Sequence, residues 1–206
     1  AGTVSKADHN YQDAGGVIWP TQTRPLATWE DGSVKWLLAT TQVPPNAQGR
    51  QLWISYGQPI AEVPAPQASL SVTESPELVT VTTGPLRFAV SKQRFTLFES
   101  AAVDSNGSGT FEDTEQLAGG GDLVVKHRNT EFRSSRDTQS YTLTVEESGP
   151  LRATLKASGW FRDERGKGFC QFIVRIQAFA GVPQVRLYHT LVYTGYPANR
   201  IHHEYE

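Results

Sequence analysis

Hydrophobic and polar residues alternate along much of the chain with the two-residue period of β-strands. The clearest case is the run "VRLYHTLVY", which begins at Val185. Because successive side chains of a strand point to opposite faces, this run predicts one long strand with an apolar face. His189 falls on that face between Leu187 and Leu191, and we expect it to be a hydrogen-bonded histidine of the core.

Similar runs, separated by glycine and proline, recur along the chain. The segment "FIVRIQAF", residues 172–179, is predicted to be the antiparallel neighbour of the long strand, with a turn at residues 180–183. Further strands are predicted at residues 34–41, 52–56, 78–82, 86–90, 139–145 and 152–157. So many short strands predict an all-β fold, a sandwich or a barrel, and not an α/β fold.

Residues 57–69, "GQPIAEVPAPQAS", contain three prolines and little hydrophobic pattern. Such composition is typical of an extended linker. We therefore predict a small N-terminal β unit at residues 1–60, a linker at residues 61–70 and a larger β domain at residues 71–206. The larger domain is long enough to bury a core of its own.

Composition narrows the classes of function. The net charge of −2 over 206 residues gives no electrostatic argument for binding nucleic acid or an anionic membrane. The longest apolar runs are too short to cross a bilayer. The single cysteine, Cys170, excludes an intrachain disulfide and is predicted to be a buried, inert thiol. The absence of methionine, and a strand-like segment close to the C-terminus, lead us to expect a portion of a longer protein.

Residues 104–115, "DSNGSGTFEDTE", match the twelve-position calcium loop of an EF-hand. Oxygen-bearing side chains occupy the ligand positions, which are Asp104, Asn106, Ser108, Thr110, Glu112 and Glu115. Because no amphipathic helix flanks the loop, we expect an isolated structural Ca²⁺ ion that rigidifies the connection, and not a calcium sensor. A polar hairpin loop without a metal is the alternative that the same residues allow.

The stretch "TWEDGSVKW", residues 28–36, suggests a sugar-binding site. Trp29 and Trp36 could stack on pyranose rings, while Asp31 and Lys35 could form hydrogen bonds to hydroxyl groups. The alternative is an ordinary hairpin, in which Trp36 faces inward and Trp29 caps the core. Alternation alone accounts for the pattern, so we favour the hairpin.

Four stretches resemble the exo-rhamnogalacturonan lyase family: "QTRPLATWEDGSVKWLLATTQ", "GPLRFAV", "EESGPLRATLKASGWF" and "FIVRIQAFAGVPQVRLYHTLVYTG". The resemblance covers nearly the whole chain. It implies a small N-terminal barrel-like β unit followed by an antiparallel central β-sandwich. In the family a helical toroid follows, and most of the active cleft lies there. The resemblance also implies a parent activity of β-elimination on rhamnogalacturonan and a secreted or periplasmic location.

The C-terminal segment "RIHHEYE" carries the residue types that a uronate lyase needs. An arginine neutralises the carboxylate, and a histidine or tyrosine removes the C5 proton and protonates the leaving oxygen. The weak candidates are Arg200, His202, His203 and Tyr205. Adjacent histidines would face opposite sides of a strand, so at most one could line a cleft. The alternative is an exposed strand end that leads into another domain.

The sequence thus predicts a non-catalytic N-terminal portion of a polysaccharide (rhamnogalacturonan) lyase-like protein, which scaffolds a catalytic toroid. The alternative is a stand-alone carbohydrate-binding or interaction module. Expected partners are a polysaccharide or a C-terminal catalytic domain, and enzymatic activity of this chain is left open. The basic run "KHRNTEFRSSR", residues 126–136, is predicted to be a solvated hairpin that could face an acidic pectic chain.

Overall fold

The structure, a computed structural model, describes residues 9–43, 51–56, 62–117 and 119–194. Within these ranges all strand pairings are antiparallel and no α-helix occurs. Single turns of 3₁₀ helix lie at Asp113–Glu115 and Ser134–Arg136, and none of the described helical turns is long and apolar enough to cross a membrane. The predicted all-β fold is confirmed.

The N-terminal unit consists of two small strand pairs. Its strands are β1 (His9–Asp13), β2 (Thr21–Thr28), β3 (Val34–Thr41) and β4 (Leu52–Tyr56). Strand β1 pairs with β4, while β2 and β3 form a hairpin whose register shifts on both sides of Ala27. Such bulges bend and twist a strand, which curves the short sheets of this unit.

The other strands form the two sheets of a sandwich. The first sheet contains, in spatial order, β5 (Ser71–Glu74), β6 (Leu78–Thr82), β7 (Leu86–Ser91), β8 (Ser100–Val103) and β9 (Gln116–Leu117). The second contains β10 (Val124–His127), β11 (Thr130–Arg133), β12 (Thr142–Ser148), β13 (Arg152–Arg162), β14 (Gly168–Phe179) and β15 (Val185–Val192). Its order is β10-β11-β13-β14-β15, and β12 pairs with β13 as well.

The hydrophobic core lies between these two sheets. Burial alternates along β14, where Phe172, Val174 and Ile176 are at most 2% exposed and the intervening residues are partly exposed. Phe95, from the connection between β7 and β8, is fully buried and its ring stacks on that of Phe172 at a centroid distance of 5.3 Å. The two-residue period therefore identified the core face of this strand correctly.

The strand predicted at residues 139–145 begins instead at Thr142. The cause is Asp137, whose carboxylate accepts hydrogen bonds from the N–H and the hydroxyl of Ser140 at 3.1 and 3.0 Å. An aspartate that bonds to the backbone a few residues ahead closes a turn. The chain therefore turns where its side-chain pattern already suggested a strand.

Strand β15 departs from the prediction in its burial. Its register with β14 places Leu187, His189 and Leu191 on the inner face of the sheet, opposite core residues. Leu187 and Leu191 are nevertheless 46% and 49% exposed, and His189 is exposed too. The prediction of a core histidine is therefore wrong, because β15 is the last strand of its sheet and the described residues leave its inner face largely exposed.

The N-terminal hairpin is fixed to the sandwich through Gln22 of β2. Its side-chain amide accepts hydrogen bonds from the N–H groups of Leu151 and Arg152 at 2.9 and 2.8 Å. It donates to the Arg152 carbonyl at 2.9 Å and to the Glu147 carboxylate at 2.6 Å. Gln22, Glu147 and Arg152 are each less than a tenth exposed, so this polar network is an internal joint between the two units.

Candidate functional site

The β2–β3 hairpin carries the residues predicted to bind a sugar, and its turn is tightly bonded. Trp29 donates its N–H to the carbonyl of Ser33 at 2.8 Å, and Gly32, at a φ of +80°, donates to the carbonyl of Trp29 at 3.0 Å. The Asp31 carboxylate accepts hydrogen bonds from the hydroxyl and the N–H of Ser33, and these bonds lower the pKa of Asp31. Asp31 therefore holds the turn, as an aspartate in a tight turn commonly does.

Both tryptophans of the hairpin are exposed, Trp29 by 46% and Trp36 by 64%. The Lys35 ammonium lies 4.5 Å from the ring centroid of Trp29, in cation–π geometry. The predicted hairpin is confirmed, but the predicted placement, with Trp36 facing inward and Trp29 capping the core, is wrong. Alternation identifies the two faces of a hairpin but not whether other strands cover them. A sugar-binding role for Trp29, Asp31, Lys35 and Trp36 stays a prediction.

The predicted calcium loop connects β8 to β9, and Glu115 is its anchor. This carboxylate is 7% exposed and accepts hydrogen bonds from the N–H groups of Glu112, Ser105 and Asn106 at 3.2, 2.8 and 3.3 Å. The bond from Glu112, followed by that from Ser105, holds the pKa of Glu115 below its usual value. Glu115 therefore closes the loop as a charged acceptor.

The first half of the same loop is bonded in a similar way. The two carboxylate oxygens of Asp104 accept the N–H groups of Ser108 and Gly109 at 3.0 and 2.8 Å. The Asn106 side chain also accepts the Ser108 N–H, at 2.8 Å, and the hydroxyls of Ser108 and Thr110 are 2.9 Å apart. No group of three or more His, Cys, Asp and Glu side chains is arranged to hold a metal among the described residues. The calcium site stays a prediction.

The basic run at residues 126–136 forms the hairpin β10–β11 and the 3₁₀ turn after it, as predicted. Three of its four lysine and arginine side chains, all except Arg128, are paired with carboxylates of described residues. Arg133 bonds to Glu131 at 2.6 Å and to Asp122 at 3.3 Å, and the Lys126 ammonium is 3.8 Å from Glu131. The Arg136 guanidinium donates to the Glu131 carbonyl at 3.1 Å. These pairs offset part of the positive charge of the hairpin, and a role in facing an acidic chain stays a prediction.

The C-terminal candidates Arg200, His202, His203 and Tyr205 lie outside the described residues, so their roles stay predictions. Cys170 is 1% exposed and donates its N–H to the Thr194 hydroxyl at 3.0 Å. The prediction of a buried thiol is confirmed.

A polar face that no sequence motif marked lies on the outer side of the second sheet. In β13, alternate residues face the core and the residues between them face outward. The register of β13 with β14 sets three outward pairs side by side: Lys156 with Arg175, Ser158 with Ile173, and Trp160 with Gln171. We call these six residues the outer ladder. All six are partly exposed.

One cation of the outer ladder is neutralised and the other is not. Arg175 forms a bidentate ion pair with Glu146, at 2.7 and 2.9 Å. The Arg175 hydrogen bonds lower the pKa of Glu146, and in return raise that of Arg175. Lys156, which lies directly opposite Arg175, forms no ion pair with any described residue. The Glu146 carboxylate also attracts the Lys156 ammonium electrostatically, but Lys156 has no hydrogen-bonded anionic partner among the described residues.

The fold is that of an antiparallel β-sandwich preceded by a small barrel-like β unit. Comparison with protein families agrees with both parts. Residues 2–54 match the PcRGLX-like N-terminal RIFT barrel domain, and residues 70–202 match the PcRGLX-like protein central beta sandwich domain. The chain belongs to the PcRGLX-like protein family, which confirms its resemblance to the exo-rhamnogalacturonan lyases.

A curated relative is the "Uncharacterized protein YetA" of Bacillus subtilis (strain 168), 27% identical over 178 residues. The match covers 82% of this chain and 19% of that protein. The chain therefore spans about a fifth of the length of the curated relative it matches. The name of the relative assigns no activity, so this match supports the relationship and not a function.

Proposed function

We propose that this chain is the non-catalytic N-terminal portion of a rhamnogalacturonan lyase-like protein, and that it scaffolds a catalytic domain formed by other residues. The observation that carries the proposal is the exposure of β15. Leu187 and Leu191 lie on the inner face of the sheet and are about half exposed, although the β14 residues opposite them are buried. An apolar surface of this kind marks a place where another part of a protein packs.

The other sides of β15 support the same interpretation. Tyr188 and Val192, on the outer face, are 52% and 36% exposed, and the far edge of β15 is unpaired within the described residues. Natural edge strands are protected by lysine, proline or a bulge. Strand β15 contains neither residue, and its register with β14 is unbroken along its whole length. An edge strand whose protection is limited to the charge of Arg186 suits a contact with a further domain.

The joint at Gln22 also suits a scaffold. Four hydrogen bonds between buried groups connect the N-terminal hairpin to the sandwich. Because these bonds are shielded from water, they hold the hairpin in one position more firmly than surface contacts would. A partner domain would then meet both units in a fixed arrangement.

The second candidate function is a stand-alone carbohydrate-binding module. It is favoured by the exposure of Trp29 and Trp36 on one hairpin, since exposed aromatic rings are typical sugar contacts. Two further sequence predictions stand as proposals beside either function: a Ca²⁺ ion in the loop at residues 104–115, and a secreted or periplasmic location.

The proposed function is tested first by a lyase assay on the purified chain. We expect no release of unsaturated uronate from rhamnogalacturonan, measured by the absorbance of the unsaturated product. Product formation by this chain alone would overturn the non-catalytic assignment.

A second measurement tests the role of β15 through the binding of a fluorescent hydrophobic dye. The double variant Leu187→Thr, Leu191→Thr removes apolar surface but keeps residues that favour strands. We expect it to bind clearly less dye than the wild type. The matched control is Leu26→Thr, because Leu26 is 54% exposed on the other unit. An equal loss in the control, or no loss in the double variant, would contradict a docking surface on β15.

A further inference from the structure

A small pocket opens on the outer ladder between β13 and β14. Its volume is about 260 Å³, and its lining includes Lys156, Ser158, Trp160 and Gln171. Ligand pockets usually have roughly 300–1,000 Å³, so this one suits a single ring of a longer ligand better than a whole drug-sized molecule.

One end of the pocket is an aromatic platform that packs against β14. The backbone N–H of Trp160 donates to the buried carboxylate of Asp137 at 2.7 Å, which holds the backbone of β13 at this residue. The indole lies close against the backbone of β14 at Gly168, where an added Cβ would be 3.0 Å from indole Cε3. The absence of a side chain at Gly168 therefore gives the indole its place. A held indole loses little rotamer freedom when a ligand ring packs on it.

The middle of the pocket offers paired hydrogen-bonding groups. The Ser158 hydroxyl and the Gln171 amide each contain both a donor and an acceptor, as sugar hydroxyls do. The Ser158 hydroxyl is 2.8 Å from the hydroxyl of Thr142, which orients it. Along one face of a strand, residues four apart have Cα atoms about 13 Å apart, so a sugar ring with its substituents fits between Lys156 and Trp160.

The other end of the pocket carries Lys156, the cation of the outer ladder that forms no ion pair with a described residue. Arg175 and Lys156 are directly opposed cations, an arrangement that destabilises a sheet unless an anion relieves it. Glu146 hydrogen-bonds to Arg175 and acts on Lys156 only through longer-range electrostatic attraction. A carboxylate bound beside Lys156 would complete the neutralisation with a charge-assisted hydrogen bond.

We propose that this pocket binds a uronate residue of an acidic oligosaccharide. Its carboxylate bonds to Lys156, its hydroxyls bond to Ser158 and Gln171, and its ring packs on Trp160. The proposal rests on the proposed function only in taking a polysaccharide as the ligand. Its test measures binding and not bond cleavage, so the two can fail separately.

The experiment is calorimetric titration of the whole chain with short oligogalacturonates and with the same oligosaccharides after reduction of their carboxyl groups. We expect Lys156→Gln to weaken binding of the acidic ligand about tenfold or more, the usual effect of losing a charge-assisted hydrogen bond. The reduced ligand should bind the wild type and Lys156→Gln equally weakly. Lys126→Gln is the matched control, because Lys126 is an exposed lysine on another strand pair of the same sheet.

Other outcomes of the titration decide against the pocket. Equal weakening by Lys126→Gln would show general charge attraction. Loss of binding in Trp36→Ala, with Lys156→Gln unchanged, would place the sugar site on the β2–β3 hairpin. No binding by the wild type would overturn the proposal and leave the scaffold function standing. Lyase activity with intact Lys156-dependent binding would overturn the scaffold function alone.

Discussion

Replacement of Gln22 by alanine tests the joint between the two units. The variant removes four hydrogen bonds and leaves the N–H groups of Leu151 and Arg152 without their acceptor. An orphaned buried donor costs roughly 1–3 kcal/mol, and partial access of water reduces the sum for two such groups to roughly 2–4 kcal/mol. In a chain of this size, that loss lowers the midpoint of thermal unfolding by about 5–15 °C.

Calorimetry on Gln22→Ala gives two readouts. The first is the lowered midpoint. The second is a split transition, because the N-terminal hairpin can unfold apart from the sandwich once the joint is weakened. Gln93→Ala is the control, since Gln93 is exposed and its replacement should change the free energy of unfolding by no more than about 0.5 kcal/mol. A single transition within about 2 °C of the wild type would refute the assigned role of Gln22.

Replacement of Gly149 by alanine tests the same joint from the side of the sandwich. A Cβ at this position would overlap the side-chain amide of Gln22, although the backbone of Gly149 is not in the left-handed region. Gly149→Ala should therefore destabilise the protein by roughly 1–3 kcal/mol, as overpacking does. In a Gln22→Ala background the space is free and the cost should largely vanish. An equal cost of Gly149→Ala in both backgrounds would mean that the two residues are not in contact.

Two further predictions concern the calcium loop and acid stability. The midpoint of thermal unfolding should be higher in the presence of calcium than in the presence of a chelator, and Asp104→Asn should abolish this difference. A midpoint that millimolar calcium leaves unchanged would refute the predicted site. Burial of Asp137 opposes its ionisation, but hydrogen bonds from Trp160, Arg162 and Ser140 outweigh burial and lower the pKa of Asp137. A lowered pKa means that stability present at neutral pH is lost as the pH falls below the usual aspartate value of 3.8. Asp137→Asn should therefore flatten the acid side of the profile of unfolding free energy against pH, and an unchanged profile would contradict this assignment.

The two strands β14 and β15 show how far a hydrophobic pattern predicts a fold. Alternation identified both strands and their inner faces, because it depends only on the local geometry of an extended chain. The exposure of His189 depends instead on whether other parts of the protein cover this edge of the sheet, which no residue of β15 encodes. Trp36 was misjudged for the same reason, since its burial would require other strands to cover the hairpin.

The outer ladder was missed because its members become neighbours only through strand register. The sequence pattern places three of them, Lys156, Ser158 and Trp160, on one face of β13. Their partners lie on β14, on the other side of a turn, and the pattern of β13 does not identify them. The turn begins the pairing: Asp163 and Lys167 share a backbone hydrogen bond of 3.0 Å, and the Asp163 carboxylate accepts the N–H of Lys167 at 2.8 Å. A register shift between Trp160 and Arg162 then places Trp160 opposite Gln171, so the register of the ladder depends on this bulge as well as on the turn.

A one-residue slip in this turn would exchange the faces of β14. Phe172 would then stand on the outer face in place of Gln171, and the pocket would lose its amide while the core lost an aromatic ring. Any other register would expose the buried ring of Phe172 and lower the free energy of unfolding. Burial of Phe172 therefore also fixes the positions of the polar residues next to it. In this sheet, the stability of the inner face determines the geometry of the outer one. The strand register on which the proposed binding pocket depends is consequently held by the core behind it.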